Sequence, residues 1–229
     1  MSDLSPSLTD KIQHETYGLF PLPVTKYTNP DHDKHKEDIL KWMSQQDLKE
    51  KHGREAICHN ITQVGDNNEC LTALPWIAET LINAVNQHNT NAHLFNTNFA
   101  IQDSYLEIAD VQAIYAPHEH SNCLFSLTYF VNFNPDQHCP VKWRRNVASN
   151  FYPVMQFDST GFTPYNMTEA TFNIKEGDIV IHPSNITHGF DANPTGNRIT
   201  LTAQIVPVCL LYTSPSPRDA TLSRMPSSA

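Results

Sequence analysis

The residues best suited to chemistry are His118 and His120, followed much further along the chain by His188 and Arg198. Alternate side chains of an extended strand share a face, so His118 and His120 can reach one metal ion together while Glu119 points away. His188 could supply a third ligand from another strand if the sheet curls into a barrel or jelly roll. The set predicts a mononuclear metal site that stays open to a substrate.

Arg198 is a candidate anchor for an acidic cosubstrate. It follows the turn-forming segment Asn-Pro-Thr-Gly-Asn at 193–197. If this segment reverses a hairpin, Arg198 lies opposite Ala192, which shares strand parity with His188, and both side chains face one interior. A guanidinium binds a carboxylate through two parallel charge-assisted hydrogen bonds. Thr200 would add a hydroxyl donor on the same face, so we expect a small dicarboxylate between His188 and Arg198.

The elements that must position these residues change in character near residue 95. Before it we predict a short strand within 17–24 and two amphipathic helices, at about 33–46 and 71–87, whose apolar residues recur with helical spacing. After it, strand-like runs alternate with turns rich in Asn, Pro and Gly. The predicted strands are Tyr105–Tyr115, Leu124–Phe133, Ala170–Ile174, Ile179–Pro183, His188–Asp191 and Arg198–Val206. Helices followed by antiparallel strands predict a mainly β domain of the α+β class.

At His188, Arg198 and Thr200 the sequence resembles the 2-oxoglutarate and iron(II) dependent oxygenases. Their double-stranded β-helix carries an HxD/E motif, a distal His, and an Arg followed two residues later by Ser or Thr. The closer resemblance is to a bacterial and phage family within that superfamily, prolyl hydroxylase-like, and it covers about residues 17 to 206. The segments that carry it are Gly18–Val24, Pro117–Asn122, Ser126–Val131 and Glu176–Ser184.

The resemblance implies one domain over residues 1–208 with a jelly-roll, cupin-like core. Helical support would cover about 30–95 and the β-helix about 96–208, with a substrate lid within about 141–164. The implied activity is a dioxygenase that uses Fe(II), 2-oxoglutarate and O2 to hydroxylate a peptide prolyl group or a small molecule. The metal ligands would be His118, His120 and His188. The cosubstrate contacts would be Arg198, Thr200 and Tyr129, although Tyr129 could instead fill the core.

His120 departs from the superfamily pattern, because a carboxylate ligand usually stands at this position. A face of three histidines carries one more positive charge and could still bind iron, as in cupin-type dioxygenases. Alternatively, Glu119 or Asp136 reaches the metal and His120 lies behind it. Two other classes stay open: a three-His metalloenzyme that needs no oxo acid, for which Arg198 is dispensable, and a noncatalytic jelly-roll binding protein.

Composition restricts the partners and the compartment. The formal net charge of -9 disfavours nonspecific binding to nucleic acid and to anionic membranes, and no apolar run approaches transmembrane length. Cys58, Cys70, Cys123 and Cys139 lack CxxC spacing, and the first residues do not resemble a signal peptide. We therefore expect the cytoplasm of a bacterium or of a phage-infected host.

The last segment, 209–229, is rich in Ser and Pro and has no apolar periodicity. It looks like the translation of a sequencing adaptor, which would make it a non-native tail on a chain assembled from environmental DNA. An unstructured tail is the alternative, and either interpretation excludes the segment from the expected fold.

Overall fold

The computed structural model describes residues 22–46, 49–50, 57–145, 160–161, 163 and 166–208. The helices in these ranges are α1 (His32–Met43), α2 (Glu69–Ala73) and α3 (Pro75–His88), and α3 runs into a π-helical turn, Asn89–His93. The strands are β1 (Thr25–Thr28), β2 (Lys49–Glu50), β3 (Cys58–Val64), β4 (Phe99–His118), β5 (Phe125–Asn132), β6 (Lys142–Arg144), β7 (Glu169–Ala170), β8 (Asp178–Pro183), β9 (Thr187–Phe190) and β10 (Arg198–Pro207). None of the described helices has the length and apolar content needed to span a membrane.

A curled antiparallel sheet forms the body of the protein, with strands in the order β1-β8-β5-β10-β4-β9-β6-β7. The 20-residue strand β4 connects its two halves. The N-terminal part of β4 pairs with β10, and its last residues pair with β9. A first layer that contains β8, β5 and β10 thus continues through β4 into a second layer that contains β9, β6 and β7. This arrangement is a double-stranded β-helix, so the predicted fold is confirmed.

Strand β10 lies in the middle of the first layer and is buried along most of its length, because β4 and β5 flank it and both of its faces are covered. Its odd-numbered residues, from Ile199 to Ile205, belong to the main apolar cluster that also contains the helices. The even-numbered residues Arg198, Thr200 and Thr202 point to the other face, which is the interior of the β-helix. The two-residue period of the strand therefore separates the core from the site.

The helices cover the outer face of the first layer. Helix α3 begins at Pro75, where a missing N–H costs nothing because the first turn has no partner for it. Ile77, Leu81 and Val85 recur every four residues and are fully buried. Burial of each such side chain contributes about 1.5–3 kcal/mol, so this stripe fixes the helix on the sheet.

The predicted element bounds differ from the structure at the N-terminal side. No strand is present at 22–24, and residues 17–21 lie outside the described ranges; the first strand is instead Thr25–Thr28. Strand β3 was not predicted, because its sequence Cys-His-Asn-Ile-Thr-Gln-Val has few apolar residues and Asn60 interrupts it at φ 52°. Most of the expected lid and all of 209–229 also lie outside the described ranges.

The predicted hairpin between the strands of His188 and Arg198 is wrong. Strands β9 and β10 do not pair; they follow one another along the same edge of β4, with His188 opposite His118 and Arg198 opposite Ala109. The loop between them also bonds to β4, since the backbone of Asn193 bonds to Gln112 and Ala113, each at 2.8 Å. A strand as long as β4 can pair with both in succession. His188 and Arg198 still face one interior, because both are in register with β4.

Candidate active site

Three histidines converge where the end of β4 meets β9. One ring nitrogen from each of His118, His120 and His188 lies within 4.8 Å of the other two. The Nε2 atoms of His120 and His188 are 3.2 Å apart. Imidazole nitrogens that bind one first-row metal ion at about 2.1 Å stand roughly 3 Å from each other, so His120 and His188 already have the spacing of two ligands, and His118 lies close enough to be a candidate third.

Backbone hydrogen bonds fix the tautomers of two of these rings. The Nδ1 atom of His118 bonds to the carbonyl oxygen of Ala116, and Nδ1 of His188 bonds to that of Ile186, each at 2.9 Å. Nδ1 must carry the proton to donate to a carbonyl, so Nε2 carries no proton and keeps the lone pair that a metal ion requires. Burial, with the neighbouring His182 and His118, lowers the pKa of His188 to about 2. His188 is therefore neutral, as a metal ligand must be.

The backbone explains why the three rings meet. His118 is the last residue of β4 and pairs with His188 on β9, while a bulge after Tyr115 changes which residues of β4 face inward. His120 follows in the next loop, where its N–H donates to the carbonyl of Ser184 at 3.0 Å. His182 is 1 % exposed, and its ring packs edge-on against His188 with 4.6 Å between centroids.

The carboxylates considered as alternative ligands lie elsewhere. Glu119 is exposed, and its Oε1 accepts a hydrogen bond from the hydroxyl of Thr187 at 2.7 Å. Asp136 is exposed in the turn after β5. Neither belongs to the cluster of candidate ligands among the described residues. The structure therefore favours the three-His set over a set completed by Glu119 or Asp136.

Arg198 lies in the same cavity as the three histidines. It is 3 % exposed, and its guanidinium carbon lies 4.2 Å from the ring centroid of Phe190, with Phe130 and Phe133 at 5.7 and 5.6 Å. Its Nε is buried without a hydrogen-bond partner among the described residues. Burial lowers the pKa of Arg198 to about 10, which still leaves it charged at neutral pH. A buried cation with an unused donor is a site for an anion.

Sequence reasoning missed several side chains of this cavity. Tyr105, Glu107, Tyr115, Thr128 and Thr202 also line it. Glu107 is 7 % exposed and lies opposite Thr200, and its charge acts on Arg198. A charged residue in the apolar run Tyr-Leu-Glu-Ile-Ala was the available signal, because a charge inside a buried strand needs a partner.

Thr200 shares the cavity with Arg198, whereas Tyr129 lies in the main apolar cluster. Thr200 is 2 % exposed and lines the cavity beside Arg198. Tyr129 belongs to the apolar cluster on the helix side of β5, and its hydroxyl bonds to Asn29 Nδ2 at 3.1 Å and His32 Nδ1 at 2.7 Å. The structure therefore does not bring Tyr129 to the other candidates. Thr128 faces the cavity instead, because neighbouring strand residues point to opposite faces.

No protein-family model and no curated protein matches this sequence. Solved structures do match its fold. A prolyl hydroxylase from Trichoplax adhaerens, in complex with a hypoxia inducible factor peptide fragment, aligns with a TM-score of 0.59 and 9% identity over 84% of this chain and 87% of that chain. The chain has the fold of the 2-oxoglutarate and iron(II) dependent oxygenases.

Two further neighbours of this fold are bacterial. A Pseudomonas putida prolyl-4-hydroxylase aligns with a TM-score of 0.54 and 13% identity over 82% of this chain and 94% of that chain. HygX from Streptomyces hygroscopicus, solved with nickel and 2-oxoglutarate bound, aligns with a TM-score of 0.57 and 10% identity over 82% of this chain and 84% of that chain. The predicted resemblance is thus confirmed for the fold. Because the sequence identities are low, the chemistry of this chain has to be inferred from its own site residues.

Proposed function

We propose that the protein is an Fe(II)- and 2-oxoglutarate-dependent dioxygenase that hydroxylates a peptide prolyl group or a small molecule. The observation that carries this proposal is one cavity with three convergent imidazoles at one end and a buried arginine at the other. Neighbours of the same fold have nickel and 2-oxoglutarate bound, or iron and 2-oxoglutarate bound. When bound, the metal and the oxo acid supply the oxidation: dioxygen converts 2-oxoglutarate to succinate and carbon dioxide, and one oxygen atom enters a C–H bond.

The protein residues would bind and orient these groups. His118, His120 and His188 would hold the metal through nitrogen atoms, with the two backbone-bonded rings kept in the tautomer that presents Nε2. Arg198 would bind the distal carboxylate of the oxo acid, and the Thr200 hydroxyl would donate a further hydrogen bond. Phe190, Phe130 and Phe133 exclude water from the guanidinium, which strengthens its attraction for a carboxylate.

An anaerobic titration tests this function. Fe(II) is added to the full-length protein with and without 2-oxoglutarate, and the visible charge-transfer band of the metal-bound oxo acid is followed. The proposal expects metal binding and a band that requires both components. The band should disappear in Arg198→Ala at oxo acid concentrations that saturate the wild type. A protein that binds neither metal nor oxo acid would be a noncatalytic jelly roll.

No carboxylate of the described residues joins the His118, His120 and His188 cluster, and this favours a second candidate, a three-His metalloenzyme that uses no oxo acid. This candidate needs the histidines and not the arginine. It would be supported if the wild type binds Fe(II) but forms no band, and if Arg198→Ala leaves metal binding and turnover unchanged. The two candidates therefore differ in whether the wild type forms the band and in whether Arg198 is needed.

A further inference from the structure

The cavity contains a negative charge that the proposed chemistry does not use. Among the described residues that line it, Glu107 carries the one carboxylate and Arg198 the one permanent cation. Both are nearly inaccessible, at 7 % and 3 % exposed. Glu107 lies opposite Thr200 in the β4–β10 pair, two residues along β10 from Arg198 and on the same face, so the two charges are diagonal neighbours.

A carboxylate beside Arg198 competes with any carboxylate that a ligand brings there. Charges in a buried cavity interact more strongly than charges in water, so a distal carboxylate that Arg198 attracts is also repelled by Glu107. A buried charge is also costly to keep, which argues that its position has a use. The fit of the cavity for a dicarboxylate therefore depends on the total charge around it.

The three-His metal site gives a reason for a buried negative charge in this cavity. Three neutral imidazoles leave the full double charge of a ferrous ion, whereas a carboxylate ligand would cancel part of it. With Arg198, the cavity then carries three positive charges against the two negative charges of 2-oxoglutarate. Glu107 brings the balance to zero, although it is placed at the Arg198 end and not at the metal.

We infer that Glu107 is a specificity-determining residue that supplies the negative charge absent from the three-His ligand set, and that it thereby limits the affinity of the site for the distal carboxylate of the oxo acid. The inference rests on the proposed function. Glu107 should therefore lower the affinity for oxo acids that carry a second carboxylate and leave the affinity for those without one unchanged.

The test compares 2-oxoglutarate with 2-oxopentanoate, which has the same chain length and no distal carboxylate. Binding of each to the Mn(II)-loaded full-length protein is measured by calorimetry for the wild type and for Glu107→Gln. The matched control is Glu79→Gln, which removes an exposed carboxylate from α3. We expect Glu107→Gln to bind 2-oxoglutarate about tenfold more tightly than the wild type, and 2-oxopentanoate equally well.

Equal or weaker 2-oxoglutarate binding by a folded Glu107→Gln would overturn the inference, and would indicate that Glu107 serves only to hold Arg198. The proposed function would survive that result, since the wild type would still bind the oxo acid. If neither protein binds 2-oxoglutarate, both fail. Should Glu107→Gln not fold, the wild type alone provides the second test: Glu107 should keep its preference for 2-oxoglutarate over 2-oxopentanoate below about tenfold, and a preference above about a hundredfold would overturn the inference.

Discussion

At the scale of single residues, the proposed metal site depends on nitrogen atoms that the fold has already oriented. His120 is the best of the three histidines to replace, because it lies in the loop after β4 and is only half-buried. Replacement of His120 by Ala should lower the affinity for Fe(II) at least about tenfold, since a ligand is lost. Anaerobic calorimetry measures the change. The exposed His59 is the control, and His59→Ala should bind Fe(II) like the wild type.

Tyr129 and Thr200 should show opposite effects when each loses its hydroxyl. Tyr129→Phe leaves Asn29 and His32 without their buried partner, so we expect a loss of about 1–3 kcal/mol in the free energy of unfolding, with unchanged 2-oxoglutarate binding. Thr200→Val removes a donor from the cavity and should weaken oxo acid binding. Chemical denaturation and calorimetry on both variants separate the roles. Weaker oxo acid binding by Tyr129→Phe would show that Tyr129 contributes to cosubstrate binding.

At the scale of elements, the histidines meet only because β9 lies close against β4. Gly189 permits this approach: a Cβ at this position would collide with the carbonyl oxygen of Tyr115 and lie 3.0 Å from that of Ala116. Both are backbone atoms of β4 that cannot rotate away, so Gly189→Ala must separate the strands. We expect a loss of about 1–3 kcal/mol in stability and weaker Fe(II) binding.

The control for Gly189→Ala is Gly161→Ala, because a Cβ at Gly161 meets nothing within 4 Å. Thermal unfolding and Fe(II) titration of both variants complete the test. Wild-type metal affinity in Gly189→Ala would show that the spacing of β9 and β4 does not position the ligands.

The elements also show what the sequence could and could not predict. Six of the seven described strands after residue 95 were predictable from apolar runs bounded by turn residues. Five of the six lie within a few residues of their predicted bounds, and β4 extends further at both ends. The short strand β6, at the start of the expected lid, was not predicted. The sequence analysis placed His188 and Arg198 in one interior, but through a β9–β10 hairpin that is not present; they share the interior because both strands pair with β4. The partner of β9 and β10 was not predictable, because local spacing cannot show that two consecutive strands both pair with one longer strand and not with each other.

The face of a strand on which a side chain lies follows from the two-residue period, and the sequence contains this period. Tyr129 shares its parity with Leu127 and Val131, both in the apolar cluster, so its position in the core follows from the pattern of β5. Glu107 could be noticed as a charge in a buried strand. Its proximity to Arg198 depends on the register of β4 against β10, which only the folded chain provides.

At the scale of the whole molecule, buried neutral histidines should make the fold sensitive to acid. His88 is 0% exposed, its Nδ1 bonds to the hydroxyl of Thr25 at 2.8 Å, and burial, with the nearby His93, lowers its pKa to about 4 from an ordinary 6.5. The folded state thus binds fewer protons than the unfolded state between these values. His88 contributes fully to the free energy of unfolding above its ordinary pKa of 6.5, and this contribution is lost as the pH falls towards about 4.

Replacement of His88 by Gln removes this titration. Between about pH 7 and about pH 5 the wild type should lose about 2 kcal/mol more of its unfolding free energy than His88→Gln does. Urea unfolding at the two pH values measures the difference. Equal losses in the two proteins would show that His88 does not contribute to acid sensitivity.

The second layer of the β-helix is thin, because β6 has 3 residues and β7 has 2. A metal ion held by His118, His120 and His188 would join the end of β4 to β9 and act as a cross-link in this layer. At a metal concentration about 100 times Kd, binding would stabilise the fold by about 2.7 kcal/mol. Limited proteolysis should therefore cut the metal-free protein faster, and Mn(II) should protect the wild type but not His120→Ala. A cell that runs short of the ion would then lose the polypeptide itself to degradation, and so restoring the ion would not restore activity until new chains were made.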